Sequence, residues 1–199
     1  MSRWISRVAI AGFLLSALAL ASPVQAAERV VKLDPKTSEV SFTLDATMHV
    51  VHGTLRLTSG EVRFDSDTGA ASGQVTVDAR SAETDNARRD KKMHETILES
   101  ERCPEMVFRL LRIEGRVETT GRSEVKLVGT MSLHGGDHPM TLPASVTADG
   151  GGSLTADVRF DVPYVEWGME DPSFLVLRVA KTVAVTVHAV GRIEPAPGR

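Results

Sequence analysis

The residues most able to ligate a metal or attack a substrate are six histidines and a single cysteine. His49 and His52 are three positions apart, which on an extended strand points them to opposite faces. His134 and His138 flank a Gly135-Gly136-Asp137 turn, so they could face each other with a carboxylate nearby. A zinc site needs three or four ligands, and no further His, Cys or acid stands at a familiar spacing. A metal centre on the turn histidines is therefore the rival reading, and the main one assigns no metal ligand. Cys103 is the only thiol, so no internal disulfide can form, and beside Pro104 it reads as a buried apolar group. There is no C-x-x-C-H haem attachment, no nucleophile elbow and no Gly-rich phosphate loop. The reading is a non-enzymatic protein with no catalytic residues and no required cofactor. One cationic cluster remains: Arg88, Arg89, Lys91 and Lys92. Arg88, Arg89 and Lys92 could meet a phosphate or other polar head group, or the cluster could be the solvated face of a helix, with Arg89 and Asp90 as a structural pair.

The chain that must position these groups has 199 residues, 42% of them hydrophobic, which suits one globular domain. Its 23 basic and 26 acidic side chains leave no positive field for nucleic acid, and 5% aromatic residues offer little base stacking. Arg3 and Arg7, the uncharged run Val8 to Leu20, Pro23 and the small residues to Ala26 read as an export signal cleaved after Ala26. Without it the chain holds 21 basic and 26 acidic residues, a net charge of −5, and no stretch long and apolar enough to span a membrane. The expected location is the periplasm.

The remainder alternates with a period of two. Val40, Phe42, Leu44 and Ala46 share one face. Leu55, Leu57, Val62 and Phe64 continue the pattern, as do Val75 and Val77, then Val125 to Leu133, and Leu154 to Val162. A last long strand is expected over Val179 to Val190, followed by a frayed tail, Glu194 to Arg199. Turn signals lie at Ser59-Gly60, Asp67-Thr68-Gly69, Gly135-Gly136-Asp137 and Gly150-Gly151-Gly152. This is the pattern of antiparallel sheet with one dry face. From Asn86 to about Ser100 the spacing of Met93, Ile97 and Leu98 predicts a short helix, capped by Asp85 or Asn86 and ended by Pro104. An all-β chain hides its edges by closing the sheet or pairing two sheets, and about eight strands can enclose one small ligand. Met48, Met93, Met131, Met140, Ala46, Ala156 and Gly129 are inward candidates, either as an adaptable cavity wall or as ordinary core filler. An isologous homodimer through an edge strand is the expected assembly.

Motifs in this order resemble the YceI-like polyisoprenoid-binding proteins. Leu33-Asp34 with Ser38-Glu39-Val40-Ser41-Phe42 is similar to that family's opening, and Gly53 and Gly60 to Asp65 to its next glycine positions. Arg89-Asp90, Met93, Leu98, Pro104 and Phe108 match its Arg-Asp helix and Pro-x-x-x-Phe strand entry. Val128 to Gly135 with His138 to Leu142 resembles its long hairpin, and Glu166-Trp167-Gly168 stands where many members carry Asp-Phe-Gly. The likeness spans nearly all of Val30 to Ile193. Cys103 where an aromatic often precedes the proline, a spacing from Arg-Asp to Pro one residue shorter, and the Asp171-Pro172-Ser173 loop depart from it. The resemblance implies an eight-stranded antiparallel lipocalin-like barrel, lying within 27–193, that holds a long isoprenoid, an isoprenoid quinone or a related amphipathic lipid. Some relatives are associated with stress responses. The expected cavity wall is Phe42, Leu44, Val75, Val77, Phe108, Leu110, Met131, Leu133 and Phe160, each on the apolar parity of its strand, with Trp167 added from a loop where it and Tyr164 either close the far end or pack beside a turn. The third reading is an interaction module without a ligand.

Overall fold

The computed structural model describes residues 28–173, 175–176 and 178–196. The expected export segment, residues 1–26, lies outside the described residues. Among the described residues nine strands form one antiparallel sheet: β1 (Glu28–Leu33), β2 (Glu39–Ala46), β3 (His49–Asp65), β4 (Ala70–Thr84), β5 (Glu105–Glu114), β6 (Thr120–Leu133), β7 (Gly136–Asp149), β8 (Ser153–Val162) and β9 (Val183–Pro195). They occupy eight positions around a closed barrel. β2 lies between the first half of β3 and the first half of β9, while β1 lies between the other halves of the same two strands. The turn at Asp34 to Ser38 breaks one barrel stave into two, and Asp34 Oδ1 accepts from Lys36 N at 2.9 Å to hold it.

Closure follows from the period-two pattern, since every long strand has one apolar face and the circuit turns all of those faces inward. Each strand has a hydrogen-bonded partner on both sides for at least part of its length. Between β7 and β8 the ladder covers only Ala144–Ala148 with Leu154–Val158, so the first half of β7 has no strand partner on that side among the described residues. Among the described residues, no helix is long and apolar enough to cross a membrane.

The inserted helix forms where expected, as α1 (Ala87–Lys92) running into a single wider turn, Met93–Ile97. Asn86 is the cap: its side chain accepts from the N–H groups of Arg88 and Arg89 at 3.1 Å. Four expectations shift. Ser59-Gly60 lies within the unbroken β3, just after a bulge at Thr58, and Leu33 packs so closely there that a Cβ on Gly60 would lie 2.5 Å from its Cδ1. β9 begins at Val183, later than expected, because Val179 makes only an isolated bridge with Ala46. Glu194 and Pro195 are paired with β1 and Ala196 N donates to Glu28 O, so the tail is tied at least that far. The β6–β7 hairpin turns at His134-Gly135, both at positive φ (53° and 79°), one residue earlier than the glycine pattern suggests.

Two apolar clusters fill the barrel unevenly. The larger one, around Phe64, Phe108, Ile113, Val117, Val125 and Val146, closes one end. The smaller, around Leu133, Val162, Tyr164 and Met169, lies at the end covered by α1 and the 163–182 strap.

Candidate functional site

Between these clusters the barrel is hollow. An outer chamber of about 490 Å³ lies under α1 and the strap, and an inner one of about 210 Å³ continues toward the closed end. Leu55, Met106, Leu133, Val162 and Val185 belong to both walls and form the neck between them. Val185 pairs across the sheet with Phe42 on one side and Phe160 on the other, so two aromatic rings flank it. Val117 and Ile113 close the inner floor, both buried. The outer chamber alone lies in the range of small-molecule sites.

Glycines keep the space open. A Cβ on Gly129 would stand 2.7 Å from Phe108 Cζ, and one on Gly53 would stand 2.2 Å from Phe42 Cζ. Each ring lies against bare backbone on the neighbouring strand and so stays close to the wall. The interior thus alternates bulk with absence of bulk.

Nine of the expected wall residues line these chambers: Phe42 and Leu44 the outer, Val75, Val77, Phe108, Leu110, Met131 and Phe160 the inner, and Leu133 both. Trp167 does not. Its ring stacks on the His138 imidazole outside the cavity, centroids 3.9 Å apart and planes at 4°, and Tyr164 and Met169 of the same strap line the outer chamber instead. Tyr164 Oη donates to Ala180 O at 2.8 Å, joining the two ends of the strap. Burial, with a smaller push from the Asp171 carboxylate, raises its phenol pKa to about 12. Among the inward candidates Met93 and Ala46 line the outer chamber and Met131 and Ala156 the inner, whereas Met48 sits in a turn at 87% exposure. The sequence reading missed the contributions of β1 and β7, and that of Met169 in the strap. Val31 and Leu33, and Leu142 and Val146, alternate as the other strands do, and that signal was available. Met169 carried no periodic signal.

Arg88, Arg89 and Lys92 stand on the outer chamber's wall near exposed His49, and every acidic or basic side chain of that wall is basic. Arg89 is also structural: its Nε donates to Thr84 Oγ1 at 3.0 Å and its Nη2 to Asp85 Oδ1 at 2.6 Å. The expected Arg89–Asp90 pair is replaced by a shared anchor, since Asp90 Oδ1 accepts from Thr84 N at 3.0 Å. Arg88 and Lys92 have no carboxylate within ion-pair distance among the described residues.

The turn histidines do not converge on one site. His134 Nε2 lies 3.7 Å from Glu99 Oε2 and 3.5 Å from an Arg102 nitrogen, while His138 is taken up by Trp167. Among the described residues, no three His, Cys, Asp or Glu side chains are placed to hold a metal ion. Cys103 is half-buried, not buried as expected, because it lies in the turn that leads from the helix to β5.

The sequence profile of the YceI-like domain matches residues 31–191. A UPF0312 protein of Pseudomonas savastanoi pv. phaseolicola is 27% identical over 139 residues, 68% of this chain and 70% of that protein. Two solved structures share the fold. BcnA of Burkholderia cenocepacia superposes with a TM-score of 0.67 at 20% identity, covering 79% of this chain and 98% of that one. A polyisoprenoid-binding domain from Saccharophagus degradans superposes at 0.63 with 16% identity, covering 82% and 98%.

Proposed function

This chain belongs to the YceI-like domain family, and from that membership and the hollow apolar barrel we propose that it is a non-enzymatic carrier or store for a long isoprenoid or isoprenoid quinone, exported to the periplasm. The single observation that carries the reading is the pair of adjoining chambers, which share five wall residues and whose inner member is lined only by apolar side chains. A prenyl chain has almost no polar groups, so its affinity must come from burial, at roughly 0.8 kcal/mol per methylene-sized group before ordering costs. At ~30 Å³ per water-sized group, the outer chamber (490 Å³) holds about sixteen heavy atoms and the inner (210 Å³) about seven. That is roughly three isoprene units and one more. The polar end of such a ligand would lie at the outer chamber, where Arg88, Arg89 and Lys92 supply donors to a phosphate or quinone oxygen. The polyisoprenoid-binding description of the Saccharophagus degradans domain supports the ligand class.

The test is native mass spectrometry of protein purified from its own host, with the released species identified after denaturation. A prenyl lipid at near-stoichiometric load is the expected result. Fully loaded protein carrying only unrelated lipids, or protein that takes up no prenol in vitro, would overturn the reading.

A further inference from the structure

Five large apolar side chains stand exposed among the described residues, and four of them collect at one end of the barrel: Met48 (87%) and Val50 (49%) on the β2–β3 hairpin, and Leu175 (78%) and Val176 (89%) on the strap. The two loops are joined. Thr47 N donates to Arg178 O at 2.9 Å, Arg178 N donates to Thr47 Oγ1 at 2.8 Å, and Ala46 bridges Val179. His49 and Val179, neighbours of these apolar tips, line the outer chamber. The patch therefore rims the cavity mouth, and the cations of the cavity wall stand at the same mouth. Arg178 adds a further cation with no ion-pair partner among the described residues. Of the carboxylates at this end, Asp85 and Asp171 are tied to Arg89 and Lys181, while Asp45 and Glu170 stay unpaired outside the wall.

We propose that this rim docks the barrel, mouth first, on an anionic lipid bilayer. Apolar tips on two loops, with cations beside them, match a surface that is apolar within and negative at its head groups. The chain as a whole carries more acid than base, so the basic mouth is the part that such a surface would not repel. Docking would also let an apolar guest pass between bilayer and barrel without crossing water. That purpose rests on the carrier reading, but the docking itself does not.

Flotation with phosphatidylglycerol vesicles, and separately with phosphatidylcholine vesicles, tests it on the wild type and on a Met48→Ser, Leu175→Ser, Val176→Ser triple variant. None of these three side chains lines the cavity. Expected is salt-sensitive flotation of the wild type with phosphatidylglycerol, weaker with phosphatidylcholine, and a loss of about tenfold or more in the variant, which keeps its melting temperature and its uptake of a three-unit prenol. Equal flotation of both proteins, no flotation of the wild type, or a rim-dependent dimer in sedimentation velocity without vesicle binding would overturn the proposal. Rim-dependent flotation by protein that takes up no prenol would support docking and remove the carrier reading alone.

Discussion

The neck between the chambers allows ligand length to be set by one side chain. In Val185→Phe the added ring would enter the gap between Phe42 and Phe160, its cross-strand neighbours. The outer 490 Å³ would remain, and the inner 210 Å³ would be cut off. A three-unit prenol fits the outer chamber alone and should bind the variant within a few-fold of wild type. A four-unit prenol would lose burial of about five carbons, roughly 4 kcal/mol gross and about 3 kcal/mol after ordering. That is a loss of about 100-fold in Kd. Titration calorimetry with both prenols, beside a melting curve to confirm folding, measures the difference. Equal weakening for the two lengths, or none for either in a folded variant, would refute the idea that the chambers fill in series from the mouth.

Four further outcomes follow from the geometry. In Gly129→Val, the new Cβ would lie 2.2 Å from Arg109 O and press on Phe108. Urea denaturation should show a loss of about 1–3 kcal/mol or more, together with reduced uptake of the four-unit prenol. Tyr164 is the only tyrosine, so alkaline absorbance titration reads it directly. With its phenol pKa pushed up to about 12 from the ordinary 10, tyrosinate should appear late in native protein and at the ordinary pH in urea. A raised pKa stabilises the fold below pH 10 and that contribution fades between pH 10 and 12, so Tyr164→Phe should lose melting temperature less steeply over that window. Asp149 accepts from the N–H groups of Ser153 and Gly151, which hold its carboxyl below the ordinary 3.8. The resulting stability is present above that value and lost as pH falls through the lowered one, so Asp149→Ala should flatten the acid limb of the melting curve.

The barrel was legible because its strands write their burial directly: Phe42, Leu44 and Ala46 alternate, and all three line the cavity. The helix was legible for the same reason, through Met93, Ile97 and Leu98 at helical spacing and an Asn at its start. What periodicity cannot express is where an irregular segment lies in space. Trp167 was placed by its loop position alone, which allowed it either to close the cavity or to pack beside a turn, and its ring stacks on His138. Met48 looked like core because it is apolar, but it occupies a tight turn between two paired strands, where no neighbour can cover it. Alternation is also silent on hollowness. Gly53 and Gly129 were visible as residues, but their effect depends on which ring lies across them, and that is a matter of cross-strand register.

The circuit is completed by the first and last segments of the described chain lying side by side. β9 pairs with β1 from Arg29↔Pro195 to Leu33↔Gly191, and with β2 beyond it. β9 supplies the stave shared by β1, β2 and β8, so the barrel stays unsealed until Val183–Pro195 has paired. Assembly must then be a late, concerted event, and loss of the stretch after Val183 would bare β2 and β8 together.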